Sequence, residues 1–178
     1  GIDPEHHQAP PSRSGVEALV VGRLEHRKGT ALMFEALPRL LSAVPGLRVR
    51  FVGRDNSGAD GFKRTTGQTY REAWESAHPH LSDRVIFDGY VDEATLARRY
   101  AEADLLLHPA RYESFGLVFV EAMRQSLPVV ALAAGGAREV FAHGEADGAL
   151  LVPPGDLDAL VDAVITLATD RPRRQAMG

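Results

Sequence analysis

With 178 residues, a net charge of -4 and 25% charged residues, the chain is long enough to bury one sizeable core and carries no basic field for nucleic acid. It has no cysteine, which excludes a disulfide frame, a thiolate metal site and a cysteine nucleophile. No apolar run approaches the ~18 residues of a membrane span and no signal peptide opens the chain.

Residues 1–14 are rich in Pro, His and Ser and lack periodicity, so they read as a linker or tail. The adjacent His6 and His7 in such a segment are assigned no metal. The domain proper spans 15–178. A short apolar strand at Ala18 to Val21 leads into Gly22-Arg23-Leu24-Glu25-His26-Arg27-Lys28-Gly29. Helical spacing of Leu32, Ala36, Leu40 and Val44 predicts a helix from about Thr30 to Ala43, which Pro38 should kink or split. A second strand, Val49 to Val52, opens a polar excursion over 54–80 whose middle, Thr69 to Ala77, looks helical.

Val85 to Phe87 is the third strand, ending at Gly89-Tyr90-Val91. Asp92 is expected to cap a helix from Glu93 to Ala103 in a capping box, with the charged residues of that helix on a solvated face. A fourth strand, Asp104 to His108, is stopped by Pro109. Strands at Val129 to Leu132 and Leu150 to Val152 follow, with a short helix between them from Gly135-Gly136 to Phe141 and a final helix from Asp156 to about Ala168. Strands alternate with helices and several are solidly apolar, as in a sheet covered on both faces. The fold expected is a doubly wound, Rossmann-like parallel α/β domain, with its ligand at the carboxyl ends of the strands.

The chain is organised around Glu113 to Gln125, ESFGLVFVEAMRQ. Glu121 stands in an apolar run, an expensive place for a carboxylate unless something satisfies it, and the neighbouring sequence offers no partner. Inside one helix Glu113 and Glu121 would lie about 12 Å apart along the axis, too far to serve one small group. If Ser114 and Gly116 mark the helix start, Glu113 falls in the preceding loop. The free N–H groups of the first turn then form an anion site between the two acids. Two carboxylates with amides between them suit a ligand with hydroxyls at both ends and phosphate in the middle, which describes a nucleotide-sugar.

Arg23 and Lys28 face that pocket from the first loop, where a diphosphate leaving group needs positive charge. A solvated basic turn is the alternative, since Arg27 lies beside them. The order Lys28-Gly29-Thr30 is not a Walker loop, and Gly22 alone is not a dinucleotide fingerprint. Asp156 and Asp158 read as helix capping rather than metal ligands. His108, ending a strand at the ligand edge, is either a substrate contact or a structural histidine.

Together the runs VGRLEHRKG, FDGYV, HPARYESFGLVFVEAM, PVVA, GGAREVF and LLVPPGD resemble the C-terminal domain of a family 4 retaining glycosyltransferase of the GT-B fold, over about residues 16 to 170. The resemblance implies that Arg23 and Lys28, beside Gly22, hold the donor diphosphate. It implies that Glu121 bonds the ribose hydroxyls and Glu113 touches the donor sugar. Phe115 and Gly116, next to Ser114, would offer backbone contacts to the sugar, Leu117 and Val118 amides to the phosphates, and Tyr90 and Val91 a largely backbone hold on the base. By the same resemblance Glu113, Arg23 and Lys28 carry catalysis, without metal or cofactor. Two departures stand out. Gly53-Arg54-Asp55 replaces a Gly-x-Gly turn, and Ser126-Leu127 stands where glycine is usual before the Pro-Val-Val strand, which should change a turn.

The reading is therefore the donor-binding half of a retaining sugar transferase, inactive alone. Its acceptor domain would lie in a missing N-terminal part, since the chain starts at Gly1 without methionine and its last helix looks cut off near Gly178. A cytoplasmic location follows, with any membrane association left to the missing half. An epimerase or phosphorylase of the same architecture, or a non-catalytic nucleotide-binding domain, are the alternatives.

Overall fold

A computed structural model describes residues 15–112 and 116–178. Six strands form one sheet in the order β3-β2-β1-β4-β5-β6. They are β1 Val16–Val21, β2 Leu47–Val52, β3 Val85–Gly89, β4 Leu105–His108, β5 Val129–Leu132 and β6 Ala149–Val152. Every pairing is parallel. The doubly wound fold is therefore present, with the chain reversing its direction of travel across the sheet between β1 and β4.

Period-2 alternation divides the strand side chains between two cores. Ala18, Val20, Leu105, Leu107, Val130 and Leu132 face one side, where they pack with α1 (Thr30–Ala43) and α7 (Leu157–Thr169). Leu19, Leu106, Val129 and Ala131 face the other. That side is covered by α4 (Glu93–Glu102), α5 (Leu117–Arg124) and α6 (Gly136–Val140). Both faces are buried, so β5 reads as an unbroken apolar run and β4 is apolar up to its last residue, His108.

Several local expectations are revised. Pro38 does not split α1, which runs through it as one element. Its missing N–H forfeits one backbone bond, while Leu32, Met33, Ala36, Leu37, Leu40 and Leu41 anchor the helix in the core. Asp92 does cap α4, accepting the Thr95 N–H at 2.7 Å, but without a capping box, because the third helical residue is Thr95 and not a glutamate. The box stands at α3 (Tyr70–Ala77), where Thr69 and Glu72 satisfy each other's backbone N–H. The 54–80 excursion holds α2 (Phe62–Thr66) as well as α3. A last helix, α8 (Arg171–Met177), follows α7.

The charged residues of α4 are not all solvated. Arg99 donates to Asp88 at 2.6 Å, and Asp88 accepts Arg50 at 2.7 Å. Arg50 in turn reaches the buried Glu17 at 2.6 Å. Alternating Arg48 and Arg50 place a charged row under α4 at the β2–β3 side of the sheet. Ser126, where a changed turn was expected, keeps the glycine conformation instead: its φ is +52°.

Candidate functional site

The loops after β1 and β4 leave neighbouring parallel strands for opposite faces, one toward α1 and the other toward α5. A crevice opens wherever neighbouring loops part in this way at the carboxyl edge of a sheet. Gly22, Arg23 and Lys28 lie on its β1 side, and Gly116, Leu117 and Val118 on its β4 side.

The β1 loop is held by a residue that sequence reasoning passed over. Glu25 is 4% exposed. Its Oε1 accepts Arg27 Nε at 2.5 Å and its Oε2 accepts Asn56 Nδ2 at 2.7 Å. Arg23 Nε lies 3.7 Å from the same carboxylate. The basic stretch is thus not simply a solvated turn. Glu25 fixes two arginines while leaving half of each side chain in solvent. The one signal available was an acid enclosed by basic neighbours in RLEHRK.

Two contacts bring this loop against the end of β4. The Arg27 carbonyl accepts the Arg111 N–H at 3.0 Å. Gly29, at φ +77°, packs so tightly that a Cβ there would sit 2.0 Å from the Pro109 carbonyl oxygen. A small cavity of about 10 Å³ lies between Gly22, Arg23, Lys28, His108 and Pro109. His108 is buried and meets the Phe119 ring edge-on, 4.9 Å between centroids. Its surroundings are those of a packed ring at the base of the crevice.

On the other side α5 begins at Gly116, whose φ of +62° is left-handed. The helical ladder starts with Phe119 and Val120 donating to the Gly116 carbonyl, so the N–H groups of Leu117 and Val118 precede it. Leu117 is 67% exposed and Val118 buried. Glu113, Ser114 and Phe115 lie outside the described residues.

Glu121 sits one turn further along α5 and is partly buried. Its partner is neither local nor an arginine: the Tyr100 hydroxyl of α4 donates to its Oε2 at 2.6 Å. Burial, and then this bond, raise the Tyr100 pKa far above that of an ordinary phenol, so it stays a donor. The sequence concealed the pair because it spans two helices 21 positions apart. Beside it opens a cavity of about 540 Å³, lined by Glu93, Leu96, Ala97, Tyr100, Glu121 and Arg124. That volume is in the range of small-ligand sites, and apolar walls with a few convergent polar groups are their usual lining.

Tyr90 and Val91 do not line this cavity; they precede α4, two residues before its lining begins. Tyr90 is 71% exposed, with the Arg54 guanidinium 4.6 Å from its ring centroid. Arg23 and Lys28 do not line it either. The structure therefore groups Gly22, Arg23, Lys28 and His108 at one place and Tyr100 and Glu121 at another. Gly116 and Phe119 stand between them, since a Cβ on Gly116 would lie 3.0 Å from the Phe119 ring that touches His108.

Comparison with known proteins adds the family. The sequence pattern of the family described as Glycosyl transferases group 1 matches residues 3–178. The chain is 32% identical, over 87% of its length, to the lipopolysaccharide core biosynthesis mannosyltransferase LpsB of Rhizobium meliloti, of which it covers 42%. It is 35% identical, over 89% of its length, to the phosphatidyl-myo-inositol mannosyltransferase of Mycolicibacterium smegmatis, of which it covers 37%. Among solved structures, the sucrose-phosphate synthase of Thermosynechococcus elongatus is similar with a TM-score of 0.75 at 33% identity, over 92% of this chain and 38% of that one. Anabaena HepE in complex with UDP is similar with a TM-score of 0.74 at 27% identity, over 92% of this chain and 42% of that one.

Proposed function

The chain belongs to the group 1 glycosyl transferases, and from that premise we propose that it is the donor half of a retaining, metal-independent enzyme that transfers sugar from a nucleoside-diphosphate sugar. The observation that carries this reading is the cavity of about 540 Å³ between α4 and α5, beside the Glu121 carboxylate. Glu121 holds the ribose hydroxyls there, and Tyr90 and Val91 approach the base at the N-terminal end of α4.

Arg23 and Lys28 oppose the charge of the departing diphosphate, together with the leading N–H groups of α5 at Leu117 and Val118. These fixed positive groups stand in for a divalent ion. Glu113 and the backbone at Phe115 and Gly116, beside Ser114, hold the donor sugar; the roles of residues 113–115 come from the family resemblance. The acceptor attacks from the face that the diphosphate leaves. It is bound by a part of the protein outside this chain, which spans about two-fifths of the relatives it matches.

The test uses UDP-, GDP- and ADP-sugars with the chain and with a version extended to the length of its relatives. The chain binds one donor class and transfers nothing, whereas the extended protein turns over and loses turnover on Glu121→Ala. Loss of affinity with no turnover in any form identifies a non-catalytic binder. Transfer by the chain alone, at a rate comparable to the extended protein, contradicts the division of labour.

A further inference from the structure

Tyr100 is not among the proposed donor-binding groups, yet it is the residue that touches the Glu121 carboxylate. It is 3% exposed and its ring belongs to the core shared by α4 and α5. Only its hydroxyl reaches a polar partner, 2.6 Å from Glu121 Oε2. Both side chains line the cavity between the two helices. We propose that Tyr100 is a positioning residue for ribose recognition, holding Oε2 of Glu121 so that the carboxylate presents its remaining acceptor sites to vicinal hydroxyls of a bound nucleotide.

The physical case is one of preorganisation. A glutamate on a helix surface has three rotatable side-chain bonds, and a ligand that must order it loses affinity in doing so. A buried phenol that cannot ionise or swing away fixes one oxygen in advance. The carboxylate has about four lone-pair sites, so one bond from Tyr100 leaves room for two sugar hydroxyls. The bond is charge-assisted, the stronger kind, and among the described residues no other hydrogen bond to Glu121 accompanies it. The same geometry makes Tyr100 a guard of sugar selectivity. A nucleotide without its 2′-hydroxyl leaves one of the acceptor sites not taken by Tyr100 short of a donor, and the rigid acid cannot turn to find another.

This inference rests on Glu121 facing a ribose, and the test separates the two. The chain is titrated with UDP, GDP and ADP, and the one bound most tightly is compared with its 2′-deoxy analogue. Wild type prefers the ribonucleotide by about tenfold, the worth of one hydrogen bond to a charged group. Tyr100→Phe keeps the ring and its packing, and lowers that preference to about twofold or less while binding of the deoxy analogue changes little. In a Glu121→Gln background, adding Tyr100→Phe changes the preference no further, because the phenol acts only through the acid. Thermal unfolding of each variant is followed alongside, and a fall in stability with the preference intact assigns Tyr100 to packing and overturns the proposal. Full preference in Tyr100→Phe with loss of preference in Glu121→Gln overturns the positioning role but keeps the ribose site. No preference in wild type, or one untouched by Glu121→Gln, overturns both.

Discussion

Asn56 donates its side-chain amide to Glu25 Oε2 at 2.7 Å, tying the loop after β2 to the loop after β1 through one buried carboxylate. Glu25 also carries Arg27 and Arg23, so one buried acid orders the basic side of the crevice. The parallel bridge between Leu24 and Asp55 continues the same contact along the backbone.

Replacing Glu25 by alanine leaves Asn56 and two arginines without their shared acceptor. Breaking a fully buried ion pair costs roughly 3–5 kcal/mol. Both arginines are half exposed and rehydrate, so the expected loss is nearer about 2 kcal/mol. Urea unfolding followed by circular dichroism measures it. An unchanged midpoint would mean that the acid orders nothing.

Gly29 is the tightest joint between the basic loop and the end of β4. Its φ of +77° is left-handed and a Cβ would collide with the Pro109 carbonyl, a backbone atom that cannot swing aside. Gly29→Ala should cost about 3 kcal/mol, combining left-handed strain with forced backbone movement. It should also weaken nucleoside-diphosphate binding, because Lys28 is the adjacent residue. Calorimetric binding and urea midpoints, taken together, check both halves.

The fold was legible because its signals are local. Apolar stretches in β4 and β5, turn residues between elements and helical spacing in α1 each report on a few neighbouring positions. An acid in an apolar run singled out Glu121, the cations marked the basic loop, and the resemblance then gave both their expected roles. What stayed hidden is carried by contacts between distant segments, such as Tyr100 on Glu121, Asn56 on Glu25 and Arg50 bridging Glu17 and Asp88. No spacing rule encodes those. The alternation of Arg48 and Arg50 with Leu47, Val49 and Phe51 is visible in the sequence, but the partners Glu17 and Asp88 lie on other strands.

Ser126 illustrates the opposite limit, a residue that departs from the family pattern while the backbone does not. It holds a φ of +52°, so the turn before β5 is the one glycine would make. Ser126→Gly removes left-handed strain of roughly 1–2 kcal/mol but adds unfolded-state freedom of roughly 0.5–1 kcal/mol. A net stabilisation of about 0.5 kcal/mol is expected, read as a higher urea midpoint at constant slope. A lower midpoint would show that the serine side chain earns its position by a contact of its own.

Asp60 gathers the 54–80 excursion onto the basic loop. It accepts the Tyr70 hydroxyl at 2.7 Å, the Phe62 N–H at 3.1 Å and the His26 N–H at 2.9 Å. Burial works against its ionised form, but the bond from Tyr70 and those from the two amides outweigh it, and the carboxyl lies below its usual value of 3.8. A depressed carboxyl stabilises the fold above its unfolded pKa, and the contribution is lost as pH falls through the lower folded value. Stability should therefore decline below about pH 4, and Asp60→Asn should flatten part of that decline. Urea midpoints between pH 3 and pH 6 test the slope, and an identical slope in the variant would remove Asp60 from the account.

The role proposed for Glu121 and the cavity beside it is to receive the sugar ring of a nucleotide. Isothermal titration of wild type and Glu121→Ala with UDP, GDP and ADP addresses it most directly. Wild type should bind one of the three, and the variant should bind that ligand at least about tenfold more weakly with its thermal stability intact. Equal affinity in the two proteins, or no binding of any of the three by wild type, would contradict the account.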